Sequence, residues 1–438
     1  MSTRSTRNVH LLVLIHGMWG SPSNLASMHR IIEETRIQES SVDPDGTTLH
    51  VMLAETNQAE STYDGIDWGG ERVATEASHI FQEIERLEEQ GDKVTRFSVT
   101  GYSLGGLLAR YVVGILNQRK FFVTVTPVNF NTIATPHIGL LTYPSFLSRL
   151  GSLLGPRLLS RTGEQFYGVD KWSNTGKSLL EVMADPGKEP FVYQRVFFQG
   201  LKLFPHIRIY ANAVNDLTVP FMTAHVDLDD PFLNHDAHEL IVDYDDEYFP
   251  VIKSFTVADT PSLKHKTVRL FTWEWFKSYN PPLPPRFQPS FPFNIISLAL
   301  LPIIFPAFIS LAILRLSIAS HHSRSRIKLL ESEDTSATER LVHIFGQLEH
   351  KVENIVVDIV DNSSAISYQE NTKTPRVTAA QRKMVAVLNS LPQLKKERAY
   401  IPNVRNSHAA IIARDVKNFE FHKIGEGVLR HWADAFVM

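Results

Sequence analysis

Short aliphatic runs alternate with amphipathic stretches along the first part of the chain, and that alternation predicts the fold class. Val9 to Ile15 is an apolar run closed by His16-Gly17-Met18-Trp19-Gly20, the pattern of a fully buried strand that ends in a glycine turn. His50 to Ala54 predicts a second, weaker strand. From Glu71 to Glu89, apolar residues fall at Val73, Ala77, Ile80, Phe81, Ile84 and Leu87, the spacing of one helical face. Phe97 to Thr100 predicts a third strand, and Leu107 to Leu116 a helix that follows directly. Strands alternating with helices imply a mostly parallel sheet, so the expected architecture is α/β.

The pattern then changes. Between 138 and 206, Phe146, Leu147, Leu150, Leu153, Leu154, Leu158 and Leu159 form an aliphatic stripe interleaved with Arg149, Arg157 and Arg161, which predicts a helical, lid-like insertion. Ile207 to Val214 alternates as a strand does. A proline-rich stretch from Asn280 to Pro292 reads as a stiff linker. Phe293 to Leu314 holds no charged residue and is long enough for the roughly 20 apolar residues of a bilayer helix. Arg315, Arg324, Arg326 and Lys328 follow, as anchors beside anionic headgroups would. Glu331 to Glu339 and Asp361 to Arg376 read as exposed polar loops, and Leu341 to Val356 as an amphipathic helix between them. The predicted division is a core from 1 to 280, a linker and apolar insertion from 281 to 328, and a return to the core from 329 to 438.

Composition removes several function classes. In 438 residues there is no cysteine, which excludes a disulfide framework, a thiolate nucleophile and a cysteine-based metal site. A formal charge of -3 supplies no field to gather phosphates, so no nucleic-acid partner is expected. The first apolar run is too short for a signal peptide, and secretion is not expected.

Chemistry enters at Gly101-Tyr102-Ser103-Leu104-Gly105. A serine hydroxyl needs aiming and a base. Gly-x-Ser-x-Gly between a strand and a helix supplies the aiming, because small residues on either side let the chain turn sharply with the serine at the apex. That context makes Ser103 the candidate nucleophile of an α/β-hydrolase fold. Oxyanion donors are expected from the backbone N–H groups of Leu104 and Met18. Chain order in this fold runs serine, acid, histidine. Asp216, after the strand Ile207 to Val214, is the best-placed acid, whereas Asp185, Asp227, Asp229 and Asp230 have no such strand before them. Of 18 histidines, His408 is best placed, after a strand-like Ala399 to Val404, with His422 and His431 as rivals. No metal or organic cofactor is expected.

Several stretches resemble the fungal serine esterases and lipases formerly filed as a domain of unknown function: Val13 to Gly20, Tyr63-Asp64-Gly65-Ile66-Asp67, Gly101 to Arg110, Ala134 to Gly139, and Asn212 to Pro220. Within that family the chain looks most like the lipid-droplet phospholipase branch, which also carries a hydrophobic stretch after its core. The resemblance implies Ser103 as nucleophile with Asp216 and His408 as partners, and glycerophospholipid or neutral glycerolipid substrates. Thr135-Pro136-His137 reads either as a site lining or as a packing loop. Ser103 and Asp216 precede the apolar segment and His408 follows it, so a single crossing would separate them. Pro302 and Pro306 therefore predict a hairpin or a surface-lying segment over 291 to 320. The expected protein is a lipase at a lipid droplet or the cytosolic face of the endoplasmic reticulum. A soluble carboxylesterase or thioesterase, a non-catalytic membrane scaffold and an acyltransferase are the alternatives.

Overall fold

A computed structural model describes residues 7–38, 46–74, 79–172, 176–187, 196–233, 238–261, 272, 293–332 and 374–438. Eight strands are described: β1 Arg7–Ile15, β2 Thr48–Leu53, β3 Asp92–Tyr102, β4 Thr126–Ile133, β5 His206–Asn212, β6 His238–Tyr244, β7 Ile252–Pro261 and β8 Leu394–Ala399. Six form one sheet in the order β2-β1-β3-β4-β5-β8, and every neighbouring pair is parallel. β6 and β7 make a separate antiparallel pair.

Helices cover both faces. α1 (Ala26–Gln38) lies with the C-terminal helix Glu426–Asp434 on one side, where Met28, Ile31 and Ile32 share a core with Leu429 and Trp432. α2 (Ile66–Ala74), α3 (His79–Glu89) and α4 (Leu104–Gln118) lie on the other, burying Val73, Ile80, Leu87 and Val112 against Leu11, Val13 and Val99. Covering both faces is what makes β1 read as a continuous apolar run from Leu11 to Ile15. Of the helix expected over 71 to 89, the described residues form α2, which starts earlier, at Ile66, and α3.

The sheet positions the site through its register. Ile15 of β1 lies beside Gly101 of β3, Tyr102 beside Ile133 of β4, and Asn212 of β5 beside Ala399 of β8. The carboxyl ends of the strands thus lie along one edge. The strand order reverses between β1 and β3, and the crevice at such a reversal is where open α/β sheets hold their ligands.

Between β4 and β5 the described elements are helices, with α5 (Phe146–Leu158) and α6 (Ser160–Phe166) first. The apolar insertion differs from expectation. Phe293–Ser332 is one uninterrupted helix of 40 residues with Pro302 and Pro306 inside it, not a hairpin. Two prolines four residues apart lie on one face of a helix, so the missing N–H groups and ring clashes fall on the same side. Among the described residues no helix is long and apolar enough to cross a membrane.

The two halves of this helix have different surroundings. Ala319, Ser320, Ser323 and Ile327 are buried against the body, with Ser320 Oγ donating to the Arg157 carbonyl at 2.8 Å and Ser160 Oγ to Ser323 Oγ at 3.1 Å. Toward the N-terminus, residues 306–311 are all exposed, more than a full turn, so no face of that stretch is packed. The expected linker, the amphipathic helix over 341 to 356 and most of both polar loops lie outside the described residues.

Candidate active site

Ser103 sits between the last residue of β3 and the first of α4 with φ 54° and ψ −125°. A non-glycine residue there carries strain of about 1–3 kcal/mol and persists only where its surroundings impose it. Here they do. The Ser103 N–H donates to the Ile133 carbonyl at 2.9 Å. A Cβ on Gly101 would lie 2.3 Å from the Gly105 carbonyl oxygen, and one on Gly105 would lie 2.1 Å from that of Ile15. The turn closes this tightly only because both positions lack side chains.

Ser103, His408 and Asp216, predicted from three distant stretches, are brought together. His408 Nε2 lies 3.0 Å from Ser103 Oγ, and His408 Nδ1 lies 2.9 Å from Asp216 Oδ2. All three side chains are buried. The carboxylate is oriented by further donors: Asn212 Nδ2 at 2.8 Å on Oδ2, and the N–H groups of Thr218 and Val219 at 3.0 and 2.7 Å on Oδ1. A carboxylate in this position accepts the Nδ1 proton, which leaves the lone pair of Nε2 facing the serine hydroxyl.

The histidine loop is stitched to the aspartate loop. Ser407 donates through its N–H to the Asn215 carbonyl and through Oγ to the Val214 carbonyl, both at 2.8 Å. Asn406 Oδ1 accepts from His408 N at 3.2 Å and Leu217 N at 3.3 Å. Tyr102 Oη donates to the His408 carbonyl at 2.9 Å. Sequence reasoning missed Asn212, Asn406 and Tyr102; the one available signal was an Asn two residues before the histidine, the position of an Asx turn.

The two predicted oxyanion donors flank the serine. Leu104 is the first residue of α4, and an N–H in a helix's first turn has no partner within the helix. Met18 follows Gly17, whose Cα passes so close over the serine that a Cβ there would lie 2.8 Å from Ser103 Cβ. His16 Nδ1 lies 2.9 Å from the Gly17 carbonyl, which can only accept, so Nδ1 carries the proton. Burial lowers the His16 pKa to about 4, so the ring beside the site is neutral at ordinary pH.

The family model described as "Putative serine esterase (DUF676)" matches residues 5–226, half of the chain, and that range includes β1, the glycine turn and the Ser103 elbow. The chain belongs to this family. Among named relatives, the "Putative lipase C4A8.10" of Schizosaccharomyces pombe is 28% identical over 232 residues, 52% of this chain and 27% of its own length. The "Putative lipase ROG1" of Saccharomyces cerevisiae is 26% identical over 225 residues, 51% of this chain and 29% of its own. The matched stretch spans less than a third of these relatives. Among solved structures, the RedJ thioesterase of Streptomyces coelicolor aligns with 51% of this chain and 80% of its own at 15% identity, with a TM-score of 0.24, too low to bear on activity.

In this member of the serine esterase family, Ser103 and His408 open onto a pocket of about 110 Å³ lined by Met18, Pro136, Leu140, Leu159, Phe166 and Val219 among others. A larger cleft of about 450 Å³ adjoins it and shares Leu140 and Thr218. Of Thr135-Pro136-His137, only Pro136 lines the pocket. Thr135 and His137 are buried, and His137 Nε2 pairs with Thr132 Oγ1 at 2.8 Å.

The rival residues are engaged elsewhere. His422 Nδ1 accepts from Asp415 N at 3.1 Å, and His431 Nδ1 pairs with Tyr210 Oη at 2.9 Å. Asp185 pairs with Lys177, and Asp227 with His225 and Lys396.

Proposed function

We propose that the protein is a serine ester hydrolase that cleaves long-chain acyl esters of glycerophospholipids or neutral glycerolipids at a lipid surface. The observation that carries this reading is the unbroken series Asp216 to His408 to Ser103 at 2.9 and 3.0 Å, on a strained elbow beside an apolar pocket. Ser103 Oγ attacks the ester carbonyl while His408 Nε2 takes its proton, and the N–H groups of Met18 and Leu104 receive the developing oxyanion. The imidazolium, held by Asp216, returns the proton to the leaving alcohol. Water then attacks the acyl-serine by the same route.

The lipid surface enters through the long helix. Ile303 is 71% exposed, Leu311 65% and Leu314 57%, and on α5 Phe146 is 78% exposed. Large apolar side chains left in water this way mark a surface that something apolar covers. The base of this helix is held on the catalytic body through Ser320, Ser323 and Arg326, which leaves its exposed apolar half free to lie in one leaflet or in a droplet monolayer. A lipid droplet or the cytosolic face of the endoplasmic reticulum is the proposed location.

Purified wild type and Ser103→Ala proteins incubated with phospholipid and triacylglycerol emulsions test the reading through released fatty acid. Release by the wild type alone supports it and ranks the substrates. No release by either, with both folded, rejects it.

A further inference from the structure

The Tyr63 to Asp67 stretch, one of those that carry the family resemblance, has no place in the relay, yet its side chains are buried and reach three elements around the site. Tyr63 Oη accepts from Trp19 Nε1 at 2.8 Å, and the neighbouring Thr62 Oγ1 accepts from Trp19 N at 3.2 Å. Trp19 follows Met18 directly and has φ 55°, a strained conformation that these two bonds hold. Asp64, fully buried, pairs with Arg72 and with Arg326 of the long helix, whose Nη2 also donates to the Glu60 carbonyl at 2.9 Å. Asp67 takes Arg161 and Gln165 of α6 at 2.6 and 2.8 Å, and Trp172 Nε1 at 3.0 Å.

Gly65 between them has φ +104°, and a Cβ there would lie 2.6 Å from Asp67 Oδ1. Its N–H and that of Ile66 are taken by Thr162 and Gln165 at 2.9 and 2.5 Å. The turn therefore aims three side chains in three directions: to the oxyanion loop, to the base of the long helix and to the insertion.

We propose that Tyr63 and Asp64 are positioning residues of the esterase. Tyr63 fixes Trp19 and with it the Met18 N–H over Ser103, and Arg326 of the long helix holds both through Asp64. Seating of the helix base then bears on the oxyanion donor, although no described residue of the helix lines the catalytic pocket. Arg326, expected as a headgroup anchor, is turned inward for this purpose. The proposal rests on the serine esterase reading and goes beyond it.

Displacing a preorganised donor is felt in the turnover step, not in ground-state binding. The test is kcat and KM of the full chain on a soluble short-chain p-nitrophenyl ester, with active sites titrated by a fluorophosphonate. For Tyr63→Phe and Arg326→Met, kcat per titrated site should fall roughly 10-fold with KM within about twofold, since small misplacements can cost up to about 10²-fold. Arg326→Met leaves Arg72 on Asp64, and Arg326→Lys, which keeps the charge, should recover part of the loss.

A kcat per titrated site equal to wild type in both Tyr63→Phe and Arg326→Met overturns the proposal and leaves the esterase reading intact. A loss accounted for by fewer titratable sites overturns it too, because that is the mark of a merely structural role. Absence of hydrolysis by the wild type brings down the functional reading and the positioning role with it.

Discussion

Gly17 and Ser103 are in backbone-to-side-chain contact across the carboxyl ends of β1 and β3: a Cβ on Gly17 would lie 2.8 Å from Ser103 Cβ and 3.3 Å from its Oγ. The close approach lets the loop from His16 to Gly20 pass over the Ser103 hydroxyl, where the proposed oxyanion donor Met18 follows. Gly17→Ala is therefore expected to displace either the loop or the hydroxyl and to lower kcat on a soluble ester by about 10²-fold, as a misplacement near 1 Å does. Steady-state kinetics check it, and a wild-type kcat would mean that the loop has slack the contact denies.

Asp216→Asn changes one atom of the relay. Oδ1 can still accept from Thr218 and Val219, but an amide nitrogen then faces both Asn212 Nδ2 and His408 Nδ1. The amide N–H would oppose the Nδ1 proton, which favours the tautomer with the proton toward the serine. The expected loss in kcat is on the order of 10⁴ with the fold intact by circular dichroism. A loss under tenfold would show that another group orients the imidazole.

The elbow was legible because it is local: strand, glycines, serine and helix lie within a few residues. The partners were legible through chain order, although Asp216 and His408 are 192 residues apart. What was missed is what tertiary pairing disguises. β4 contains Pro127, Asn129 and Asn131, poor strand formers, yet Asn129 is satisfied by Ser98 and by the Val437 carbonyl deep in the sheet. β8 was expected at Ala399 to Val404 and lies at Leu394–Ala399, where Lys395, Lys396, Glu397 and Arg398 suit a strand on the sheet's edge and hide its pattern. The prolines of the long helix misled in the other direction, since sequence alone does not say whether a proline bends a helix or ends it.

The exposed half of that helix can be altered without touching the site. Ile303, Phe308, Leu311 and Leu314 are all exposed, whereas the base is held by Ser320, Ser323 and Arg326. Burying each large apolar side chain contributes about 1.5–3 kcal/mol. Changing all four to Gln should therefore weaken cosedimentation with phospholipid vesicles by more than about 100-fold while leaving soluble-ester hydrolysis within about twofold. Unchanged cosedimentation would exclude this helix as the lipid contact.

Two buried histidines make the fold acid-sensitive in a defined window. Burial, aided by Arg96 and Arg36, lowers the His10 pKa to about 3, and burial lowers that of His16 to about 4. An unfolded histidine titrates near 6.5, so between that value and the folded one the unfolded chain binds more protons and stability falls as pH falls. From pH 7 to pH 5 each site should cost about 2 kcal/mol. For His10 the geometry identifies what is lost. Ser98 Oγ accepts both the N–H and Nδ2 of Asn129, so its own proton goes to His10 Nε2 at 2.7 Å, and a protonated ring cannot accept it. Gln at this position offers an acceptor that does not titrate. Guanidinium unfolding at pH 7 and pH 5 should show His10→Gln losing about 2 kcal/mol less than wild type between the two. An equal loss in both proteins would mean that His10 takes up no proton on unfolding in that range.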